Sequence, residues 1–401
     1  MSLTIDMRDP AFRLDPHRLL HQVRDEPGLP RDVLGVWLAC HHADCSAGLR
    51  LARLSREPWR SPLYGQLRPF VADSRLESVI EQWMLFNDPP KHTRLRRLVN
   101  GAFKPPVVEA LRDRVMAITD QLLADLPPGA GFDVMATLAQ PLPVRVICDV
   151  LGLPAGDFLR TKSWSDALAL VVEPIVRRET RQLSNRAAAD MSAYLLSHVR
   201  DHRRAQRRDT LLGMLVAAQD DDGALSDEEL LGNLVLLFVA GHETTTNLIG
   251  NGLFTLLSHP DQLQRLRAHP DLMASAIEEM LRYEGPVNML SRIPTEPVTL
   301  RDEVVRPGET IFFMIGAANR DPAVFDAPDR FDIGRSPNPH LAFGAGIHYC
   351  VGAPLARLEA EVVFGRLLQR HPDLVLVDPR PNWRSLINLR GLEALPVKPR
   401  G

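Results

Sequence analysis

Apolar residues recur every three or four positions along much of the chain, a spacing that places them on one face of an α-helix. The clearest series consists of Val108, Leu111, Val115, Ile118 and Leu122. It predicts one helix from Pro105 to about Leu126 with a single buried face. Many of the 33 prolines stand where such a series begins, and a missing N–H costs a helix least at that position. The pattern therefore predicts a mainly helical protein.

The same pattern predicts further helices from about 90 to 102, 174 to 208, 260 to 268, 270 to 284 and 350 to 370. Another begins with Ser226 and, three residues later, Glu229. This pair forms a capping box, in which each residue satisfies a backbone N–H of the other. The apolar stretch that follows predicts a long helix reaching about Leu257.

Short strands are predicted where the period of apolar residues changes from nearly four to two. They cover about 298–300, 304–305 and 310–315, between prolines and glycines, with weaker signals at 374–377 and 395–397. The predicted fold class is therefore mainly α with a small β-rich lobe. We find no internal repeat, low-complexity tract or linker, so residues 1–401 are expected to form a single domain.

Composition and charge exclude several classes of partner. The net charge is −3, which gives no basic field for a nucleic acid. The longest apolar run, Leu234 to Gly241, has about eight residues, whereas a membrane-spanning helix needs roughly 20. The first 16 residues lack the basic start and apolar core of an export signal. We expect a cytoplasmic protein that binds neither nucleic acid nor membrane.

The four cysteines are too few for a disulfide scaffold in a chain of 401 residues. Cys40 and Cys45 flank His41 and His42, and thiolates and imidazoles are zinc ligands. Four ligands within six residues have little freedom to close a tetrahedron, however. We favour a strand ending near Ala39 and a short helix beginning near His42.

The segment from Phe343 to Gly352 places Cys350 after a glycine-rich turn and before a helix. A helix N-terminus lowers the pKa of a thiol and can donate to a sulfur anion. A dinucleotide-binding loop would need a glycine at Tyr349 and a preceding strand, so that alternative fails. A buried structural cysteine remains open on these residues alone.

The segment from Ala240 to Thr245 interrupts an apolar helix with a glycine, an acid and two alcohols. Glycine costs roughly 1 kcal/mol relative to alanine in a helix interior, and a buried carboxylate needs partners. A separate helix capped by Thr245 or Thr246 would also explain the pattern.

Residues 343–352 resemble the cytochrome P-450 signature Phe-Gly-x-Gly-x-His-x-Cys-x-Gly, with a match at every fixed position. The resemblance extends from about residue 10 to 397 and implies the cytochrome P-450 fold with haem b. It makes Cys350 the proximal ligand of the iron, with Phe343 near the sulfur and His348 at a haem propionate. Gly344 and Gly352 complete the signature as cofactor-binding residues. A thiolate ligand favours cleavage of the O–O bond.

Residues 240–245 resemble the distal-helix element of the same family. The resemblance makes Glu243 and Thr244 the acid–alcohol pair that delivers protons to bound O2. Ala240 and Gly241 would leave room for O2 beside the cofactor. His242 has no role in the family pattern, and we interpret it as structural or solvent-facing.

Other matches to the family are less specific without their context. Glu279 and Arg282 are implied to form a structural network with Arg330. His92 and Arg96, four residues apart on one helix, and Arg292 are implied to bind haem propionates. Alone, these residues would be an ordinary ion pair and a solvated basic helix. Four basic residues are candidates for docking an acidic ferredoxin: Arg94, Arg97, Lys104 and Arg357.

The resemblance implies a monooxygenase that hydroxylates or epoxidises a hydrophobic small molecule such as a polyketide, terpenoid or fatty acid. Electrons would come from NAD(P)H through a ferredoxin reductase and a ferredoxin, because nothing in the sequence resembles a flavin or iron–sulfur domain. A peroxide-driven haem enzyme and a non-catalytic haem-binding protein are the alternatives, although neither needs Glu243 and Thr244. The candidate pocket consists of the 60–87 segment, the 168–172 segment with Leu168 and Val172, and Val235, Val239, Val287, Met289 and Ile387.

Overall fold

The computed structural model describes residues 5–65, 74–126, 129–174, 176–206, 208–222 and 225–400. The chain divides into two compact units. The first unit contains residues 1–55, 119–139 and 244–401, and the second contains residues 56–118 and 140–243.

Helices make up most of the described chain. In chain order they are α1 (Pro10–Leu14), α2 (Pro16–Asp25), α3 (His42–Gly48), α4 (Pro62–Gly65), α5 (Arg75–Ile80), α6 (Lys91–Asn100), α7 (Pro105–Glu109), α8 (Arg112–Ala124), α9 (Pro141–Leu151), α10 (Phe158–Ala169), α11 (Arg178–Ala205), α12 (Leu211–Asp222), α13 (Asp227–Ser258), α14 (Pro260–Ala268), α15 (Met273–Tyr283), α16 (Ile315–Ala318) and α17 (Ala353–Arg370). Short 3-10 segments lie between several of them, including Gly346–His348. None of the helices in the described ranges is both long and apolar enough to cross a bilayer.

The strands of the described residues all belong to the first unit. They are β1 (Trp37–Ala39), β2 (Leu54–Ser55), β3 (Phe132–Asp133), β4 (Met289–Pro294), β5 (Val298–Leu300), β6 (Glu303–Val305), β7 (Ile311–Met314), β8 (Leu374–Leu376), β9 (Asn382–Trp383), β10 (Leu392–Ala394) and β11 (Pro396–Pro399). The largest sheet has the order β1-β7-β4-β2, with β1 and β7 parallel and the other pairs antiparallel. The expectation of a mainly α protein with a small β-rich part is confirmed.

The helix expected from Pro105 to about Leu126 is instead two helices, α7 and α8. The amide of Leu111 bonds to the carbonyl of Val108, three residues back, which closes a tight turn between them. Val108 and Val115 are both buried on either side of this turn. The apolar spacing therefore predicted the buried face correctly but not the break in the backbone.

The start of α13 follows the capping box that the sequence predicts. The amide of Glu229 donates to Ser226 Oγ at 3.1 Å, and the amide of Ser226 donates to the Glu229 carboxylate at 3.0 Å. The helix then continues without interruption to Ser258. A separate helix capped by Thr245 or Thr246 is therefore excluded.

Candidate active site

The loop before Cys350 is closed by a backbone hydrogen bond. The amide of Cys350 donates to the carbonyl of Phe343 at 2.9 Å, and the 3-10 turn Gly346–His348 lies between them. Cys350 precedes α17, whose N-cap is Gly352, so the helix begins three residues later than expected. A Cβ on Gly352 would lie 4.0 Å from the Cys350 sulfur, so this side of the thiol faces a residue without a side chain.

Packing against the largest sheet fixes the position of this loop. Leu341 and Ala345 belong to the buried cluster that also contains Trp37 of β1 and Phe313 of β7. Gly346 adopts a positive φ of 70°, and a Cβ there would lie 2.6 Å from the carbonyl oxygen of Leu49. The close approach and the backbone conformation both require glycine at this position.

Cys350 is exposed, whereas the other three cysteines are buried. Burial raises the pKa of Cys40 to about 12 and that of Cys148 to about 11, and it also raises the pKa of Cys45. These three thiols therefore stay protonated and enclosed in the interior. Cys350 is the thiol that a cofactor can reach.

β1 ends at Ala39, directly before the Cys40–Cys45 segment, and α3 begins within it at His42, as the sequence predicts. Cys45 Sγ donates to the carbonyl of Ala39, and a ring nitrogen of His42 lies 2.8 Å from the carbonyl oxygen of Pro339. Cys45 and His42 thus each have a backbone partner of their own. Among the described residues, the geometry of a metal site is met elsewhere, by Asp166, His242 and Glu243.

Glu279 and Arg282 form a fully buried ion pair on α15. Arg282 donates to both carboxylate oxygens of Glu279, at 2.7 and 2.8 Å, and to the carbonyl of Asn319. The Asn319 side chain accepts from the amide of Leu341 at 2.7 Å. The pair is thereby linked to the segment that leads to Cys350.

The third side chain of this network, after Glu279 and Arg282, is Arg335, where the sequence led us to expect Arg330. Arg335 Nε lies 3.2 Å from both oxygens of Glu279. Arg330 contributes only its carbonyl oxygen, which accepts hydrogen bonds from Arg282 and Arg335. Arg330 itself is an exposed residue. A turn at Pro328 and Asp329, in which the Arg330 amide donates to the carbonyl of Ala327, directs the Arg330 carbonyl towards the network. Sequence spacing does not reveal this direction.

Arg357 of α17 belongs to a second polar cluster beside the Cys350 loop. Its guanidinium donates to both oxygens of Glu278 at 2.6 and 2.8 Å and lies over the Phe343 ring, 4.5 Å from the centroid. His340 lies 3.0 Å from the same carboxylate. Burial alone would raise the pKa of Glu278, but Arg357 and His340 outweigh it and lower the pKa to about 2.

One face of α13 becomes accessible halfway along the helix. Residues 230–239 are buried, but Ala240 is exposed and Gly241 and Thr244 are half-buried. These positions lie within one turn of each other, so they share a face. Glu243 is buried beside them. A Cβ on Gly241 would also lie 3.2 Å from Ile147 of α9, so this glycine has a packing role besides any role towards O2.

His242 is buried, so the interpretation of it as solvent-facing is wrong. Its Nδ1 lies 2.9 Å from Ser165 Oγ, and its Nε2 lies 3.1 Å from Asp166 Oδ1. The same Nε2 is 3.7 Å from Glu243 Oε2. No family motif covers Ser165 or Asp166, which lie on α10, so sequence reasoning could not find this cluster.

The candidates for propionate binding lie in both units. In the first unit, Arg292 is buried on β4 and donates to the carbonyl of Ser291, and His348 lies in the 3-10 turn. In the second, Arg96 of α6 donates to Asn100, and His92 is buried. Burial and the charge of Arg96 lower the pKa of His92, which favours a neutral imidazole at neutral pH.

The pocket candidates form two local groups. Val287, Met289 and Ile387 belong to neighbouring segments of the first unit, joined by a bridge between Val287 and Leu389 and by Asn288 bonding to the Ile387 carbonyl. The candidates of the second unit are Leu168, Val172, Val235 and Val239. Leu168 and Val235 are fully buried, as ordinary core residues also are. Within the 60–87 segment, residues 66–73 lie outside the described residues.

Nearly the whole chain is similar to known proteins of one family. The family model described as cytochrome P-450 matches residues 59–376. The cytochrome P-450 monooxygenase PikC of Streptomyces venezuelae is 44% identical over 96% of this chain and 92% of its own length. The polyketide biosynthesis cytochrome P-450 PksS of Bacillus subtilis is 38% identical, with 96% of each chain covered.

The chain belongs to the cytochrome P-450 family. A solved structure of P-450 BioI, in complex with an acyl carrier protein ligated to hexadec-9Z-enoic acid, has a TM-score of 0.91 and 36% identity. The alignment covers 97% of this chain and 99% of that one. The fold and the monooxygenase class inferred from the sequence are thus confirmed, and membership of the family implies the use of haem and O2.

The residues of this P-450 fit a haem group. Its one exposed thiol follows a glycine-rich loop and precedes a helix, and α13 opens on one face at Ala240 and Thr244. Of the basic residues considered for docking a partner, Arg94 and Arg357 have their charges paired with Glu229 and Glu278. Arg97 and Lys104 are exposed and keep this candidacy.

Proposed function

We propose that this P-450 inserts one atom of O2 into a hydrophobic natural product, by hydroxylation or epoxidation, with Cys350 as the proximal ligand of haem b. The observation that carries the proposal is the position of Cys350. It is the exposed thiol of the four and lies on a loop held by the buried sheet cluster and by the Glu279–Arg282 pair. A thiolate ligand needs such a fixed and accessible position.

Haem, when bound, supplies the activation of O2, and the protein supplies the axial ligand, orientation and protons. His348, Arg292, His92 and Arg96 are assigned to the propionates, because charge-assisted hydrogen bonds from basic groups suit carboxylates. Phe343 is assigned to pack beside the Cys350 sulfur. Its ring lies under the Arg357 guanidinium, which fixes its orientation.

Glu243 and Thr244 are assigned to proton delivery. Thr244 lies on the accessible face of α13, where a hydroxyl can hold a water molecule, whereas Glu243 is buried directly before it. A carboxylate can load that water with a proton, and general acid catalysis of this kind contributes roughly 10²- to 10⁴-fold. Both residues are therefore proposed as catalytic.

We assign the substrate to the polyketide class. Support comes from the similarity to PksS, a cytochrome P-450 of polyketide biosynthesis, and from the apolar character of the candidate pocket residues. An acyl chain on a carrier protein, the ligand in the P-450 BioI structure, is the competing substrate. Electrons are proposed to come from NAD(P)H through a ferredoxin reductase and a ferredoxin, with the whole chain acting as a single cytoplasmic domain.

A spectroscopic screen tests the substrate class. Macrolactone polyketides, free fatty acids and acyl carrier proteins are titrated into the ferric protein while the haem spin state is followed. A shift at micromolar polyketide, followed by an oxygenated product with NADPH, a ferredoxin and its reductase, is expected. A shift only with acyl carrier proteins would overturn the polyketide assignment. Full turnover with hydrogen peroxide and no ferredoxin would overturn the proposed source of electrons.

A further inference from the structure

The cluster around His242 joins a buried acid to the protein surface within the second unit. Its three ionisable members are Asp166 of α10 and His242 and Glu243 of α13. The side chains of His242 and Glu243 are 1% and 5% exposed, whereas that of Asp166 is 38% exposed. The cluster is thus buried at Glu243 and solvent-exposed at Asp166.

Two carboxylates face the same nitrogen of His242. Nε2 lies 3.1 Å from Asp166 Oδ1 and 3.7 Å from Glu243 Oε2, and Nδ1 lies 2.9 Å from Ser165 Oγ. The Phe238 ring, 6.4 Å away between centroids, packs beside the imidazole. A proton on Nε2 can therefore pass between the carboxylates after a small side-chain movement, while Nδ1 stays anchored.

We infer that His242 and Asp166 form a proton relay that reloads Glu243 from solvent during turnover. This inference rests on the proposed function, because it gives Glu243 its source of protons. His242 and Asp166 act through Glu243 and are positioning residues, not catalytic ones.

The relay balances in protons and moves no electrons. Between turnovers the imidazolium donates Nε2–H to Asp166 Oδ1 and Nδ1–H to Ser165 Oγ. It gives the Nε2 proton to Glu243 Oε2 once that carboxylate has released its own proton, and it becomes the neutral Nδ1–H form. A proton from water at Asp166 then returns to Nε2, so one proton enters for each one that Glu243 releases and Nδ1–H is unchanged throughout.

The residues around Asp166 keep its carboxylate ionised. Lys162, one turn earlier on α10, places its ammonium 2.6 Å from Asp166 Oδ2. Burial alone would raise the pKa of Asp166, but His242 and Lys162 outweigh it and lower the pKa. The carboxylate therefore stays ionised and can accept a hydrogen bond from water on its exposed side.

A bound metal ion is the competing interpretation of the three ligands. Two observations favour the relay. The Nε2–Oδ1 distance is that of a direct hydrogen bond, and Asp166 already carries the Lys162 cation. Calorimetric titration with Zn²⁺ separates the two: no saturable binding is expected, and stoichiometric binding that His242→Gln abolishes would overturn the relay.

Kinetics test the relay on the haem-loaded protein. O2 consumption is measured without added substrate, with NADPH, a plant-type ferredoxin and its reductase at saturation, in H2O and D2O. His242→Gln and Asp166→Asn are each expected to slow it, His242→Gln by roughly tenfold or more, and to raise the solvent isotope effect. The double variant should be no slower than His242→Gln, because the two residues act in series.

Matched controls separate a relay from general damage. His202→Gln alters another buried, hydrogen-bonded histidine, on α11, and Asp157→Asn alters another half-buried aspartate with side-chain partners. Neither is expected to change the isotope effect. If His242→Gln matched His202→Gln in rate and isotope effect, the relay would be overturned.

A measurement that does not depend on turnover distinguishes this inference from the proposed function. In ¹⁵N-histidine-labelled protein with haem and carbon monoxide bound, Asp166→Asn and Glu243→Gln should each shift the Nε2 resonance of His242. Ser165→Ala should shift mainly Nδ1. If Glu243→Gln left the chemical shift of His242 Nε2 unchanged, the relay would be overturned. A wild-type protein that consumes no reductant would instead contradict the proposed function.

Discussion

Arg282 donates hydrogen bonds to both carboxylate oxygens of Glu279, at 2.7 and 2.8 Å, and neither side chain is exposed to solvent. Removing one partner of a buried pair leaves the other charge unpaired and costs about 3–5 kcal/mol. Arg282→Met is therefore expected to lower the free energy of unfolding by about that amount in denaturant titrations. Arg330→Met should cost less than about 0.5 kcal/mol, because that side chain is exposed. Equal losses would contradict the network described here.

Gly344 and Gly346 offer a paired test of the Cys350 loop. Both have positive φ, so alanine at either position is strained by about 1 kcal/mol or more. At Gly346 the new Cβ would also meet the Leu49 carbonyl at 2.6 Å, whereas at Gly344 its nearest contact is an ordinary 3.4 Å. Gly346→Ala is expected to lower haem content and the unfolding temperature more than Gly344→Ala. The reverse order would show that Leu49 does not constrain the loop.

Glu278 makes the stability of the protein depend on pH in acid. Its pKa falls from 4.5 to about 2 on folding, so its contribution is present above pH 4.5 and is lost as the pH falls towards 2. Glu278→Gln removes this dependence. The difference in unfolding midpoint between wild type and variant should therefore shrink from pH 5 to pH 3 in urea titrations. A constant difference would mean that Glu278 titrates alike in the folded and unfolded chains.

Thr244→Ala is expected to keep haem and substrate binding but to lower the yield of product per NADPH several-fold. The loss of the hydroxyl removes the water that carries protons from Glu243, so reducing power should appear as hydrogen peroxide. The readout is the ratio of product, peroxide and NADPH consumed. Thr246→Ala, which changes a buried threonine two residues later, is the control and should leave the ratio unchanged. Unchanged coupling in Thr244→Ala would remove the role assigned to it.

Local signals in the sequence predicted much of the fold. The capping box at Ser226 and the apolar spacing behind it define α13, and the change of period after residue 297 locates β5 to β7. β4 was missed, although it lies at the centre of the largest sheet and carries Arg292. Its residues Met289–Pro294 mix polar and apolar side chains and end in proline, and their pairing with β7 is a tertiary contact.

The candidate site was predictable only where a fixed motif carries it. The Cys350 loop and the Glu243–Thr244 pair follow from short contiguous patterns. Arg335 and Asp166 were missed because their partners, Glu279 and His242, lie 56 and 76 positions away in sequence. Packing brings these residues together, and no local spacing encodes it.

The carbon monoxide spectrum of the reduced, haem-loaded protein tests the central claim most directly. A thiolate-type Soret band is predicted for the wild type. It should be absent from Cys350→Ala and present in Cys148→Ala, whose thiol is buried. A wild type that lacks this band, or a Cys350→Ala variant that keeps it, would contradict the assignment of Cys350 as the iron ligand.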